Sequence, residues 1–145
     1  MMNGFFLGVA ASLEAENEST KDYFWCMPPD SKIGDKILLY CPRSASASRQ
    51  GVFAEAVVES SPDKACDKNY FCSGYGAYGA KYMYVRIKIL KRFKPHVLAK
   101  EMKADRMLSG SGFVRRNFQG TTFILDKAQF DRILTIAERK ANILR

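Results

Sequence analysis

The chain holds a single tryptophan, in the run Tyr23-Phe24-Trp25-Cys26-Met27-Pro28-Pro29. Further aromatics interleave with glycine at Gly74-Tyr75-Gly76-Ala77-Tyr78-Gly79, and an amide stands beside two guanidiniums at Arg115-Arg116-Asn117. Arg86 and Lys88 alternate with apolar residues in Tyr82-Met83-Tyr84-Val85-Arg86-Ile87-Lys88-Ile89-Leu90. These residue types suit one kind of ligand. Aromatic faces stack on unpaired bases, guanidinium and ammonium groups hold phosphate, and a side-chain amide reads a base edge. A pocket built from Trp25, Tyr75 and Tyr78 also suits a methylated base, because the methyl adds apolar surface at little desolvation cost. Asn117 is then the candidate edge contact, and Arg86, Lys88, Arg115 and Arg116 the candidate phosphate contacts. The bland alternatives stay open: such aromatics also plug barrel ends, and alternating Tyr and Lys also make an ordinary solvated strand face.

Charge favours the same ligand class. The chain carries a net charge of +8, and residues 81–116 account for +9, with eleven Lys and Arg against Glu101 and Asp105. A neutral body with one basic third implies a surface that meets a polyanion.

Catalytic chemistry is poorly supplied. His96 is the one histidine, on a turn beside Pro95, and no obvious carboxylate partners it. There is no Gly-x-Ser-x-Gly elbow and no phosphate-loop Lys-Ser/Thr. The Gly74–Gly79 run matches Gly-x-Gly-x-x-Gly, but it leads into a strand, and a dinucleotide site needs it to open a helix. Cys66, Cys72 and His96 do not follow a zinc-ligand spacing. Glu55, on an apolar strand, is the one carboxylate of interest, and a satisfied structural acid is its simpler role. No cofactor is expected.

These residues need a scaffold. The chain's 145 residues, 47% of them hydrophobic, predict one domain spanning 1–145 with a substantial core. The four cysteines form no Cys-x-x-Cys pair and are expected as free thiols in a cytoplasmic protein. Phe5–Ala11 reads as a first strand, since no Lys or Arg precedes it as a secretory signal would require. Leu13–Asp22 reads as a short helix or loop, and the aromatic run as irregular backbone before the Pro-Pro break. Residues 36–41 and 51–58 read as a hairpin of strands around a seven-residue loop. In the strand 82–90, Met83, Val85, Ile87 and Ile89 alternate onto a core face, and Phe93-Lys94-Pro95 is expected to end it. A short helix over 97–102, a flexible Ser109–Gly112 link and a strand at 121–125 follow. Asp126 with Gln129 then caps a C-terminal helix whose apolar face is Phe130, Ile133, Leu134, Ala137 and Ala141. The expected class is α+β: a small mixed β-barrel with flanking helices and a C-terminal helix.

Trp25-Cys26 ahead of Gly34-Asp35-Lys36-Ile37-Leu38-Leu39-Tyr40, then Gly51-Val52-Phe53-Ala54-Glu55-Ala56-Val57-Val58, resembles successive barrel strands of the EVE domain, a PUA-like family related to the YTH domain. The resemblance, that of a divergent member, runs from about Phe5 to Leu134. It implies a PUA-like barrel that binds DNA or RNA carrying a modified base, methylated or hydroxymethylated, with any nuclease supplied in trans. It places Trp25 as a cage tryptophan, Ser12 as a ligand-contacting serine, and Tyr75 or Tyr78 in the loop that brings a second cage aromatic. Two other functions are compatible with the residues. One is a protein-interaction module using the tyrosine-rich loop, and the other a small nucleoside-acting enzyme of the related ASCH group working through Glu55 or Lys36.

Overall fold

The computed structural model of the protein describes residues 3–9, 22–41, 49–63, 83–118 and 122–143. The elements within them are β1 (Phe5–Val9), β2 (Asp22–Met27), β3 (Lys36–Cys41), β4 (Gly51–Val58), β5 (Met83–Leu98), α1 (Ala99–Ala104), α2 (Gly112–Arg115), β6 (Thr122–Leu125) and α3 (Lys127–Ile143). The strands form one sheet in the order β2-β5-β4-β3-β1-β6. β1 runs parallel to β3, with Val9 beside Tyr40, and every other pairing is antiparallel. The two outermost strands approach each other where Thr122 Oγ1 donates to the Cys26 carbonyl at 3.4 Å. The sheet is therefore curled into a mixed half-barrel, as the expected class requires.

The alternation of side chains divides the core into two layers. On the inner, concave face Phe6, Ile37, Leu39, Phe53, Val85 and Ile87 pack together, with Trp25 against them. On the outer face Leu7, Leu38, Tyr40, Val52, Phe93 and Val97 pack under the helices, through Met102 of α1, Phe113 of α2 and Phe130, Ile133 and Ala137 of α3. The capping box of α3 forms as expected. Asp126 Oδ1 accepts from the Gln129 amide at 2.7 Å, and Gln129 Oε1 accepts from the Asp126 amide at 2.9 Å.

The Gly34-Asp35 turn anchors the sheet. Gly34 sits at φ +97°, a conformation that only glycine adopts without strain. The buried Asp35 carboxylate accepts from the Gly4 amide at 2.8 Å and the Lys32 amide at 2.9 Å, tying the start of β1 to the turn that opens β3. The motif that carries the resemblance is thus a structural fastening.

Several local expectations are corrected. Tyr23–Met27 is not irregular backbone; it lies within β2, fully paired with β5. β5 does not end at Phe93-Lys94-Pro95 but runs to Leu98, because between Arg92 and Val97 its ladder with β4 skips register. Proline lacks an N–H to donate, and such an irregularity tolerates it. The first helix begins at Ala99, two residues late. Ser109–Ser111 is not a flexible link but a bonded turn: the Ser109 amide donates to Asp105 O, and Ser111 donates to Leu108 O through both its amide and its hydroxyl. Cys41 is buried and not in a disulfide, whereas Cys26 is disulfide-bonded. Sequence spacing missed that bond because it depends only on Cβ atoms the fold brings together. The expected helix or loop before β2 and most of the loop after β3 lie outside the described residues.

Candidate nucleic-acid interface

One end of the half-barrel gathers the C-termini of β1 and β3 and the N-termini of β4 and β6. Val9 lies beside Tyr40, Cys41 beside Gly51, and Gly8 beside Thr122. Trp25 reaches this end from β2. Its side chain is half-buried and rests on the inner apolar layer. A Cβ built on Gly8 would stand 2.8 Å from the Trp25 indole nitrogen and 2.7 Å from Ile37 Cδ1. No real Cβ fits at such distances, so the indole lies directly over backbone that only glycine leaves open. The ring is neither plain core nor free on the surface. It is a supported aromatic face at the rim of a concave sheet.

Asn117 reaches the same end from the opposite, helix-covered side. Asn117 and Phe118 both take left-handed backbone, at φ 55° and 59°. That conformation is costly for a bulky residue, on the order of 1–3 kcal/mol. Packing maintains it: Phe118 stacks on Tyr40 with ring centroids 4.5 Å apart and planes 6° off parallel, and tilts against Phe113 at 5.8 Å. The turn holds Asn117 half-buried, five residues ahead of Thr122. Asn117 and Trp25 thus share an end of the sheet but sit on opposite faces of it. Ser12, Tyr75 and Tyr78 lie outside the described residues.

The candidate phosphate contacts fall into two groups. Arg115 and Arg116 are exposed at α2, beside Asn117. Arg86 and Lys88 are exposed on β5, on the face turned away from Trp25, since their neighbours Val85 and Ile87 supply the inner layer. Among the described residues none of the four forms an ion pair, whereas Lys36, Lys127, Arg132 and Lys140 are each bound to a carboxylate. Glu55, the carboxylate flagged for possible chemistry, is 3.3 Å from Lys36 and only slightly exposed. The two residues put forward for an enzyme form a pair with each other across β3 and β4.

Two contributors escaped the sequence reading. Gly8 sat unnoticed in an apolar run, although a glycine inside a strand signals close approach by another group. Phe24 was counted with its aromatic neighbours. Strand alternation turns it to the opposite face from Trp25, where it is 65% exposed.

Comparison with known proteins bears on the whole domain. A hypothetical protein from Leishmania major shares the fold at a TM-score of 0.70 and 16% identity, over 97% of this chain and 98% of that one. PSPTO5229 of Pseudomonas syringae superposes at 0.68 and 12% identity, over 92% and 99%. Human THYN1, solved in complex with 5-methylcytosine-containing DNA, does so at 0.68 and 12% identity, over 94% and 98%. No curated protein sequence matches the chain. The sequence pattern of the EVE domain, however, matches residues 26–136. From β2 into α3, and with the PUA-like half-barrel expected of it, the chain belongs to the EVE domain family.

Proposed function

We propose that this EVE domain binds nucleic acid and takes a modified base, drawn out of its stack, onto the indole of Trp25. The observation that carries the proposal is the half-buried Trp25 ring laid over Gly8 at the rim of the half-barrel. An aromatic face held by the core on one side stacks a base with little loss of side-chain entropy, and stacking contributes about 1–3 kcal/mol per base. Two facts support the ligand class: membership of the EVE family, and a similarly folded human protein solved with DNA containing 5-methylcytosine. Ser12, Tyr75 and Tyr78 would complete the pocket; Asn117, on the opposite face of the sheet, would meet a flanking nucleotide instead of the base edge, and Arg115 and Arg116 would hold the flanking phosphates. Recognition of this kind needs no proton transfer, and we assign the domain no catalytic step.

A methyl group buried in such a pocket is worth about 1–3 kcal/mol, or roughly ten- to 200-fold in affinity. Because Trp25 is the only tryptophan, its emission reports directly on the pocket. Titration with short DNA and RNA oligonucleotides, modified and unmodified, should give quenching selective for one modified base. Trp25→Ala should remove that preference and leave the salt-sensitive background binding. Quenching that ignores modification, or a preference that survives Trp25→Ala, rejects the proposal.

A further inference from the structure

Behind Trp25, on the other face of the same two strands, lies a second concavity. Phe24 and Arg86 are register partners across β2 and β5, and Tyr84 follows on the same side. With the segment Ser60–Asp63 they line an open groove of about 840 Å³. The wall is bonded to the floor. The Arg86 amide donates to Ser60 Oγ at 2.7 Å, the Glu59 amide to the Arg86 carbonyl at 2.8 Å, and the Asp63 amide to the Tyr84 carbonyl at 3.2 Å. The groove is therefore a built feature of the strand pair.

Its chemistry matches a nucleotide. Phe24, 65% exposed, offers a phenyl face to solvent, and Tyr84 lines the same hollow. Arg86 supplies a cation beside the aromatic, and Lys88 continues the positive charge along the exposed face of β5. Asp63 and Ser61 add acceptors for an exocyclic amino group. The volume falls in the range of about 300–1,000 Å³ typical of small-molecule sites. Arg86 in the groove and Lys88 beyond it on the exposed face of β5 favour an occupant that carries a phosphate. A stacking ring next to unneutralised cations is the combination that binds single-stranded nucleic acid without sequence preference.

We infer that this groove holds a second, unpaired nucleotide of the same strand whose modified base lies on Trp25. Phe24 stacks on its base and Arg86 meets its phosphate. The two subsites lie on opposite faces of β2, whose outer edge meets β6 at Cys26, so a nucleic-acid strand reaches both by passing over the end of the half-barrel beyond that contact. The inference rests on the function proposed above, and its test separates the two.

Two probes are needed: 5-methyldeoxycytidine monophosphate, and a ten-nucleotide single-stranded DNA with one central 5-methylcytosine. Phe24→Ala should weaken the ten-mer about tenfold and leave the mononucleotide unchanged, whereas Trp25→Ala weakens both. Phe24→Tyr should restore the ten-mer, since it keeps the stacking face. Arg86→Ala should flatten the salt dependence of ten-mer binding by about 0.7 in log–log slope. A Phe24→Ala protein that binds the ten-mer within twofold of wild type overturns the groove and leaves the Trp25 pocket standing. Equal loss for both probes overturns it too, because Phe24 would then act only through the pocket. A wild-type protein that binds the ten-mer no more tightly than the mononucleotide also overturns the groove and leaves the Trp25 pocket standing.

Discussion

At the scale of single residues, the interface depends on what is absent at Gly8. The indole of Trp25 occupies space that any side chain at position 8 would fill, with the nearest ring atom 2.8 Å from an added Cβ. Gly8→Ala should therefore lift the indole and also press on Ile37. Overpacking of that kind costs roughly 1–3 kcal/mol, enough to lower Tm by several degrees while the fold persists. Tryptophan emission of the folded variant should shift to the red, and quenching by oligonucleotide should weaken. An unshifted spectrum would place the indole elsewhere. Asp35 makes the opposite point, for a residue whose prominence in the sequence is structural. Its carboxylate accepts two partly buried backbone amides, those of Gly4 and Lys32, that would otherwise lose their partner.

At the scale of elements, α3 is fastened at two points to α1 and the segments that flank it. Arg132 donates through Nε at 2.9 Å and through a terminal guanidinium nitrogen at 2.7 Å to Asp105 Oδ1. The amides of Met107 and Leu108 donate to Oδ2, each at 3.1 Å. Farther along, Lys140 donates to the His96 carbonyl at 2.6 Å and to the Glu101 carboxylate. The hydrogen bonds from Arg132 hold the Asp105 carboxyl below the usual carboxylate range. Burial opposes them, and the Arg132 charge and the two amides add to them. A folded-state pKa below the unfolded one contributes stability that is complete above about pH 3.9 and is lost as pH falls through the lowered value. Asp105→Asn should thus lower Tm at pH 7 by about 3–8 °C, from a charged hydrogen-bond contribution of roughly 1.5–2 kcal/mol. The gap between the two proteins should narrow below about pH 4. A gap that stays constant down to pH 2 would mean that Asp105 acts through shape alone.

At the scale of the whole molecule, charge decides how binding responds to salt. Four of the cations assigned to phosphate are exposed at two places, Arg115 and Arg116 at α2, Arg86 and Lys88 on β5. If all four neutralise phosphates of a single strand, log K against log salt should fall with a slope near −3, at about −0.7 per contact. Single alanine replacements should each remove about 0.7 of that slope. A slope near zero would point instead to a protein partner on this surface, the reading in which the tyrosine-rich loop is the docking site.

Much of this was present in the sequence. Hydrophobic alternation placed the strands 36–41, 51–58 and most of the long one, and the Asp126/Gln129 pair marked the start of α3, because these signals are local and their period follows from backbone geometry alone. Composition placed the excess charge, and the strand motifs named the family. Local signals could not show that Tyr23–Met27 is a strand, since its regularity comes from pairing with residues some sixty positions away in β5. Nor could they carry β5 past Pro95, where a register skip against β4 absorbs the missing donor. The site followed the same division. Residue types and their spacing were enough to name the side chains able to touch a base or a phosphate. The tertiary structure decided which face each one occupies, setting Trp25 on the inner side over Gly8, Asn117 on the helix-covered side, and Phe24 with Arg86 on the outside of the same strand pair. The reason is physical: a strand sends neighbouring side chains to opposite faces, and only the closure of the sheet determines what each face becomes.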